Sequence, residues 1–534
     1  MSQSILDTVA DPRRVNQTSE LSALSAQELT GQPFSETLRY RTALAALTSG
    51  GAELVTRILT VVLSIVTARL LEPVEVGLLG LAVIVIGVIS MLGFYPETAA
   101  VAARGGRSDH QYAFAATEVR AVIIALSLAL LWLTFPVVAH YLTGKEDAAI
   151  PLRQLLGVLA WMPVLELLSG YPQIVMQRRL QLNYIARLQI IQPIVFVGLA
   201  VAFLLTGRGY IGVAWASVVS AAMTAAMLWW RLLWRRGPAW EFWPSRSVRY
   251  ELMSGTAKVF AGGFGGYLTT RVDNVIVSGV LGLASMSFYS MAWNASRTPV
   301  LIFNKAISFV LMPTLARIQD ESIRMQRAVR ECLQYSNLLL VPICAALFVS
   351  APSLVSIVIG PKWLPMVPCL RIMCLTALLH PAVFVANALL VSRGRAHLSG
   401  IATALQLLAL VVLIPVLANR WGIIGAALGD FAAVTILGVA LYWTARAVAR
   451  EISWNMLSTF VGPLIAATAA SFVALNIAGY INPVSARLVC EISLVLVIYL
   501  LILTVVGGRG ALLDLLRLLV AIARPRTVAT GSQA

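Results

Sequence analysis

The chain has 534 residues, of which 59% are hydrophobic and only 12% charged, with a mean hydropathy of +0.83. A soluble domain carries about 25% charged residues, so there is too little polar side chain to coat a water-facing globule. The formal charge of +16 would suit a nucleic-acid partner, but its placement along the chain argues against one.

Residues 1–38 are polar and short of aromatics. They lack the charged start, apolar core and small-residue cleavage site of a signal peptide and read as a disordered cytoplasmic tail. From there apolar runs recur to the C-terminus. Runs of about 20 such residues span a bilayer, and breaks at Gly, Pro and charge clusters divide the chain into about fourteen spans. Their limits are 46–70, 75–96, 117–141, 152–174, 187–206, 210–231, 254–280, 286–312, 335–359, 366–391, 399–418, 422–444, 457–480 and 487–507. The fold class is therefore all-α integral membrane.

The Lys and Arg alternate with the loops. Arg104 and Arg107, Arg178 and Arg179, Arg235 and Arg236, Arg324, Arg327 and Arg330, and Arg393 and Arg395 fall on the side of both termini; Arg69, Lys145, Arg153, Arg208, Lys362, Arg420 and Arg487 fall opposite. Cytoplasmic loops collect Lys and Arg, which places both termini inside and assigns the basic charge to orientation and anionic lipid headgroups. The mixed charges of 315–336 read as an interfacial amphipathic helix, as does the segment near 510–526. Cys332, Cys344, Cys369, Cys374 and Cys490 are odd in number and scattered, which is no disulfide framework, and the four histidines have no metal spacing.

Seven cations fall inside spans. Each central Arg, Lys or Asp costs about 2.5–3.5 kcal/mol, so depth separates them. Arg120, Lys258 and Arg371 lie near expected helix ends, where long stems snorkel to headgroups. Arg57, Arg271 and Arg297 lie near midplane, and Lys305 between. Glu53 precedes Arg57 by four residues, the favourable same-face spacing. Asp273 follows Arg271 by two, diverging by about 200° around a helix. Two readings stand: ion pairs that lock helices together, or a water-filled cationic cavity for an anionic substrate. Three central arginines on the first, seventh and eighth spans favour the cavity. In the seventh, Gly262 and Gly266 are spaced for close helix packing, while Gly263 and Gly265 lower rigidity and suggest a bend or hinge.

Four passages carry a resemblance: "SIVTARLLEPVEVGLLGLA" (64–82), "RVDNVIVSGVLGLASMSFYSMAWNASRTPV" (271–300), "FVLMPTLARIQDE" (309–321) and "VIGPKWLPMVPCLRIMCLTAL" (358–378). In their order and spacing the chain resembles the Wzx-type polysaccharide flippases of the multidrug/oligosaccharidyl-lipid/polysaccharide exporter superfamily. The first two passages also align weakly with each other at an offset of 210 residues, as an internal repeat would.

The resemblance implies two six-helix lobes (40–235 and 253–448) joined by a cytoplasmic linker (236–252), two further helices (449–508) and a basic cytoplasmic tail (509–534). It implies no catalysis, cofactor or metal, and residence in the bacterial cytoplasmic membrane. The implied substrate is a polyprenyl-diphosphate-linked glycan carried by alternating access, with a polymerase and a chain-length regulator as partners. Arg suits a diphosphate because its planar fork makes bidentate contacts. The cationic-cavity role is carried onto Arg57 and Arg271, then Arg297 and Lys305, and coupling to H+ or Na+ onto Glu53 or Asp273. A drug exporter of the same superfamily is the alternative, disfavoured because lipophilic cations want acids and aromatics. A membrane glycosyltransferase or polymerase would want a large outer loop, and the outer loops here are short.

Overall fold

The computed structural model describes residues 55–103, 109–143, 148–179, 181–235, 243–318, 321–448 and 458–506. Among these the regular structure is helical and contains no strand. The helices are α1 (55–70), α2 (Pro73–Ala102), α3 (Asp109–Thr143), α4 (Ala149–Leu159), α5 (Trp161–Arg178), α6 (Leu182–Leu205), α7 (Gly209–Arg235) and α8 (Arg246–Thr269). They continue as α9 (Val272–Leu281), α10 (Leu283–Arg317), α11 (Ser322–Val358), a 3-10 turn (Pro361–Met366), α12 (Val367–Ser392), α13 (Ala396–Val448), α14 (Ser458–Ala478) and α15 (Val484–Val506).

Local chemistry fixes the junctions. At the start of α2 the Glu72 N–H donates to Glu75 Oε2 at 2.9 Å, and Pro73 occupies the first turn, where an amide has no intrahelical partner. Ser245 caps α8 by accepting from the Val248 N–H. Gly282 and Gly360 turn the chain with φ of 86° and 109°, backbone that a side chain rarely adopts.

Ten helices among the described residues are long and apolar enough to cross a membrane. The protein is a multi-pass membrane protein. The expectation of fourteen spans differs for identifiable reasons. Residues 396–448 run as one element, with non-helical backbone at Trp421 and Gly422 where two spans were expected to part. The first expected span begins before residue 55. The seventh is broken, because α8 ends at Thr269 and α9 starts at Val272. The eighth, α10, carries Asn294, Ser296, Arg297 and Thr298 in its middle.

Three further expectations are corrected. The 315–336 segment is no separate interfacial helix: α10 runs to Arg317 and α11 starts at Ser322, both continuing apolar helices. The second half of the expected linker is helical, since α8 begins at Arg246. Arg120 does not snorkel. Helix α3 begins at Asp109, eight residues before the expected limit, which puts Arg120 about three turns inside, where it is 6% exposed. The tails, Glu53 and the second amphipathic segment lie outside the described residues.

Packing differs between the two ends of the molecule. At one end a single apolar core runs through both helix groups, from Leu78, Leu81 and Leu155 to Met286, Trp363 and Leu370. At the other end the cores are separate. One joins α2, α3, α5, α6, α7 and the start of α8 around Tyr112, Ile174 and Leu252. The other joins α10, α11, α12 and α13 around Leu315, Met325 and Leu389. The helices are thus gathered at one end and divided at the other. The divided end carries Arg178, Arg249, Arg324 and Arg393; the gathered end carries Arg69 and Lys362.

Candidate functional site

A cleft of about 300 Å³ separates α1 from α10, α11 and α12. Its polar lining is Arg57, Thr60, Ser64, Asn294 and Thr298, and Leu354, Val355, Met366 and Leu370 form the apolar wall. Helical spacing explains the lining, because 57, 60 and 64 share one face of α1 and 294 and 298 one face of α10. At 1.5 Å per residue Arg57 lies about 20 Å below the gathered end of α1. It therefore presents a cation deep in a cleft between two groups of helices.

Arg271 is the residue at which the seventh span breaks. It sits ahead of α9 with φ −136° and ψ −25°, exposed, with its guanidinium hydrogen-bonded to Tyr267. Above it α8 lies against α2. An added Cβ on Gly263 would stand 3.2 Å from the Tyr95 ring, which meets Phe260 edge-on at 5.3 Å. Close approach therefore falls at Gly263, whereas Gly265 and Gly266 face open space, with nothing within 4 Å of an added Cβ. Gly266 was expected to pack and does not. The helix passes through all four glycines unbroken and parts four residues later.

Arg297 departs from its expected role. Its Nη2 lies 3.5 Å from Asp430 Oδ2 on α13, and its guanidinium covers the Trp293 ring at 5.1 Å. With its side chain 14% exposed, it locks helices together and is not a cavity cation. Asp273, buried at the start of α9, accepts hydrogen bonds from Tyr289 Oη at 3.1 Å and from Asn274 N and Nδ2 at 2.8 and 3.0 Å. Asp430 and Arg297 are close enough to act on it electrostatically. Buried charges persist when paired and hydrogen-bonded, and this network joins four helices, since His380 of α12 also faces Arg297. Lys305 lies about two turns beyond Arg297 on α10, toward the divided end, and its side chain is outside the described set.

Sequence reasoning missed a third feature, at the gathered end. Arg69, at the end of α1, donates to the Val358 carbonyl at 2.7 Å and to that of Ile357, closing the C-terminus of α11. In return Lys362 Nζ donates to the Leu71 carbonyl at 2.7 Å, and Trp363 Nε1 donates to that of Ala68 at 2.8 Å. Each helix end supplies donors for the last carbonyls of the other, which have no intrahelical partner. The two quoted passages 64–82 and 358–378 therefore meet in space. Only the donor residue types hint at this in the sequence, because the acceptors are backbone.

A family profile described as "Polysaccharide biosynthesis protein" matches residues 66–368, more than half of the chain and a stretch that holds Arg271 and Arg297. The chain belongs to the polysaccharide biosynthesis protein family.

Curated proteins are similar to the chain over part of its length. The chain is 26% identical over 175 residues to the lipopolysaccharide biosynthesis protein WzxC of Escherichia coli (strain K12), covering 33% of this chain and 35% of that protein. It is 22% identical over 278 residues to the teichuronic acid biosynthesis protein TuaB of Bacillus subtilis (strain 168), covering 51% and 55%. The chain thus spans about a third to about half the length of these curated relatives. The fold matches that of the lipid II flippase MurJ in an inward closed conformation, with a TM-score of 0.69 at 14% identity over 86% of this chain and 98% of that one.

Proposed function

We propose that the protein carries a polyprenyl-diphosphate-linked oligosaccharide from the cytoplasmic to the outer leaflet of the bacterial cytoplasmic membrane. The observation that carries the reading is the cleft between α1 and α10, which opens beside Arg57 in a chain of a polysaccharide biosynthesis family. A diphosphate crossing hydrocarbon needs a cation at depth, and Arg57 and Arg271 supply two at different helices. The partly polar cleft suits the sugar, and the isoprenoid stays in lipid.

The asymmetric packing supports a movement. The basic, divided end faces the cytoplasm under the positive-inside rule, with both termini inside, and the gathered end is closed toward the outer face. Alternating access requires the reciprocal caps of α1 and α11 to part while the two separate cores approach each other. Asp273 is the candidate for coupling this to H+ or Na+, since its carboxylate shares a buried space with Asp430 and, among the described residues, a single guanidinium, that of Arg297. The glycan it delivers would pass to a polymerase and a chain-length regulator.

Deleting the gene and restoring it as wild type or as the Arg57→Ala/Arg271→Ala variant tests the reading. Cytoplasmic-leaflet accumulation of lipid-linked repeat units should follow deletion and persist with the variant at normal membrane abundance. Polymer export at wild-type level with the double variant removes the proposal.

A further inference from the structure

Away from the cleft, a second set of charges lies inside the first helix group. Arg120 of α3 projects between α2 and α5, where Nη1 lies 2.8 Å from Glu97 Oε2 and Nη2 lies 3.4 Å from Glu166 Oε2. Glycine makes the space: an added Cβ on Gly93 of α2 or Gly170 of α5 would stand 3.1 Å from the guanidinium. The arginine thus occupies a slot built by two helices. Ser90 of α2 hydrogen-bonds Glu166.

The charges do not balance. Two carboxylates face one guanidinium, which leaves one negative charge in excess inside a membrane-spanning bundle. Among the described residues, the elements packed around the trio supply no further cation. On α2 no other charged group lies near, and α4 and α8 bring Arg153 and Lys258, both exposed. Arg178 of α5 pairs with Asp109, and Arg231 of α7 lies over the Tyr184 ring. Glu118, on α3 itself, is held by Arg249. Arg297 of α10 is engaged by Asp430, and Asp273 of α9 belongs to that same separate network. The hydrogen bonding is incomplete as well. Glu97 Oε1 and Arg120 Nε are buried with no partner, in residues only 5% and 6% exposed. A buried acceptor without a donor calls for an explanation, and a proton on the carboxylate is the one that the excess negative charge supports.

We propose that Glu97, Arg120 and Glu166 form a proton-binding site, in which one proton is held by the carboxylate pair and exchanged with water during transport. Two carboxylates sharing a site cannot both ionise at low cost, and the pair titrates as a unit. On binding, a hydronium ion gives its proton to a carboxylate oxygen, forming one O–H bond and leaving water. On release the same bond breaks and water takes the proton, while Arg120 stays protonated throughout. Exposure assigns the order. The Glu166 side chain is 33% exposed against 7% for Glu97, so Glu166 is the outer member, through which the proton enters and leaves, and Glu97 is the deep one.

Infrared difference spectroscopy of the full chain in lipid vesicles, titrated from neutral to acidic pH, reads the site directly and without substrate. Wild type should show a carboxylic-acid carbonyl component that Glu166→Gln and Glu97→Gln each abolish, because either change leaves one acid to one arginine. Asp273→Asn should leave that component in place. The same spectrum in wild type and both glutamine variants overturns the proposal, as does a component that depends on sodium and not on pH. Should Glu97→Gln fail to accumulate, the more exposed Glu166→Gln carries the same test alone. Because the readout needs no glycan, its failure is separable from failure of the flippase reading.

Discussion

Arg57, Arg120, Arg271 and Arg297 are four arginines in apolar helices, and their surroundings assign them different work. Arg297 and Arg120 face acids on other helices and hold those helices together, whereas Arg57 lines a cleft and Arg271 stands at a helix break. The sequence makes the cost of all four legible but not the division. Asp430 lies 133 residues from Arg297, and no periodicity reports a partner on another helix. For Arg120 the difference is one of depth, because α3 starts at the polar residues Asp109, His110 and Gln111, ahead of the apolar run that hydropathy picks out. Arg120→Met should therefore leave the buried Glu97 without its cation and Glu166 with only Ser90, and destabilise the protein by about 3–5 kcal/mol, read as a lower melting temperature of the purified chain. Arg57 lines the cleft, so Arg57→Ala should abolish transport while lowering that melting temperature less than Arg120→Met does.

At the scale of helices, the apolar runs locate nearly every element, and the breaks between them are harder to place. Nothing in the seventh span announces the interruption at Thr270 and Arg271. The glycine cluster draws attention to 262–266, yet the helix is continuous there, and Gly263 is held close, against Tyr95, while Gly265 and Gly266 are open. Gly266→Ala should consequently be tolerated, and Gly263→Ala should lower folded yield as the Tyr95 ring is displaced; fluorescence-detected size-exclusion profiles compare the two. A sharper case is Gly77 of α2, where an added Cβ would overlap the carbonyl of Leu283 at the start of α10. Since the obstruction is backbone, Gly77→Ala should cost about 1–3 kcal/mol. The two junctions in contact there, 71–77 and 281–283, belong to the passages whose weak self-alignment suggests a repeat.

For the whole molecule, the gathered end is tied by α1 and α11 capping one another. Glu72 adds to this, its carboxylate lying 3.5 Å from Lys362 Nζ. Motif reading picks out both passages yet cannot pair them, because the hydrogen bonds between them end on main-chain carbonyls. Linking Glu72→Cys to Lys362→Cys with a short thiol cross-linker should arrest export in cells, and reducing a cleavable linker should restore it. Export that continues with the linked protein would mean that this face need not open.

The central claim is that Arg57 and Arg271 hold the diphosphate of the cargo. Native mass spectrometry of the purified chain with undecaprenyl diphosphate tests it most directly. Wild type should retain the lipid, and Arg57→Ala/Arg271→Ala should lose it while retaining ordinary phospholipid. Equal retention of undecaprenyl diphosphate by the two proteins would contradict the account.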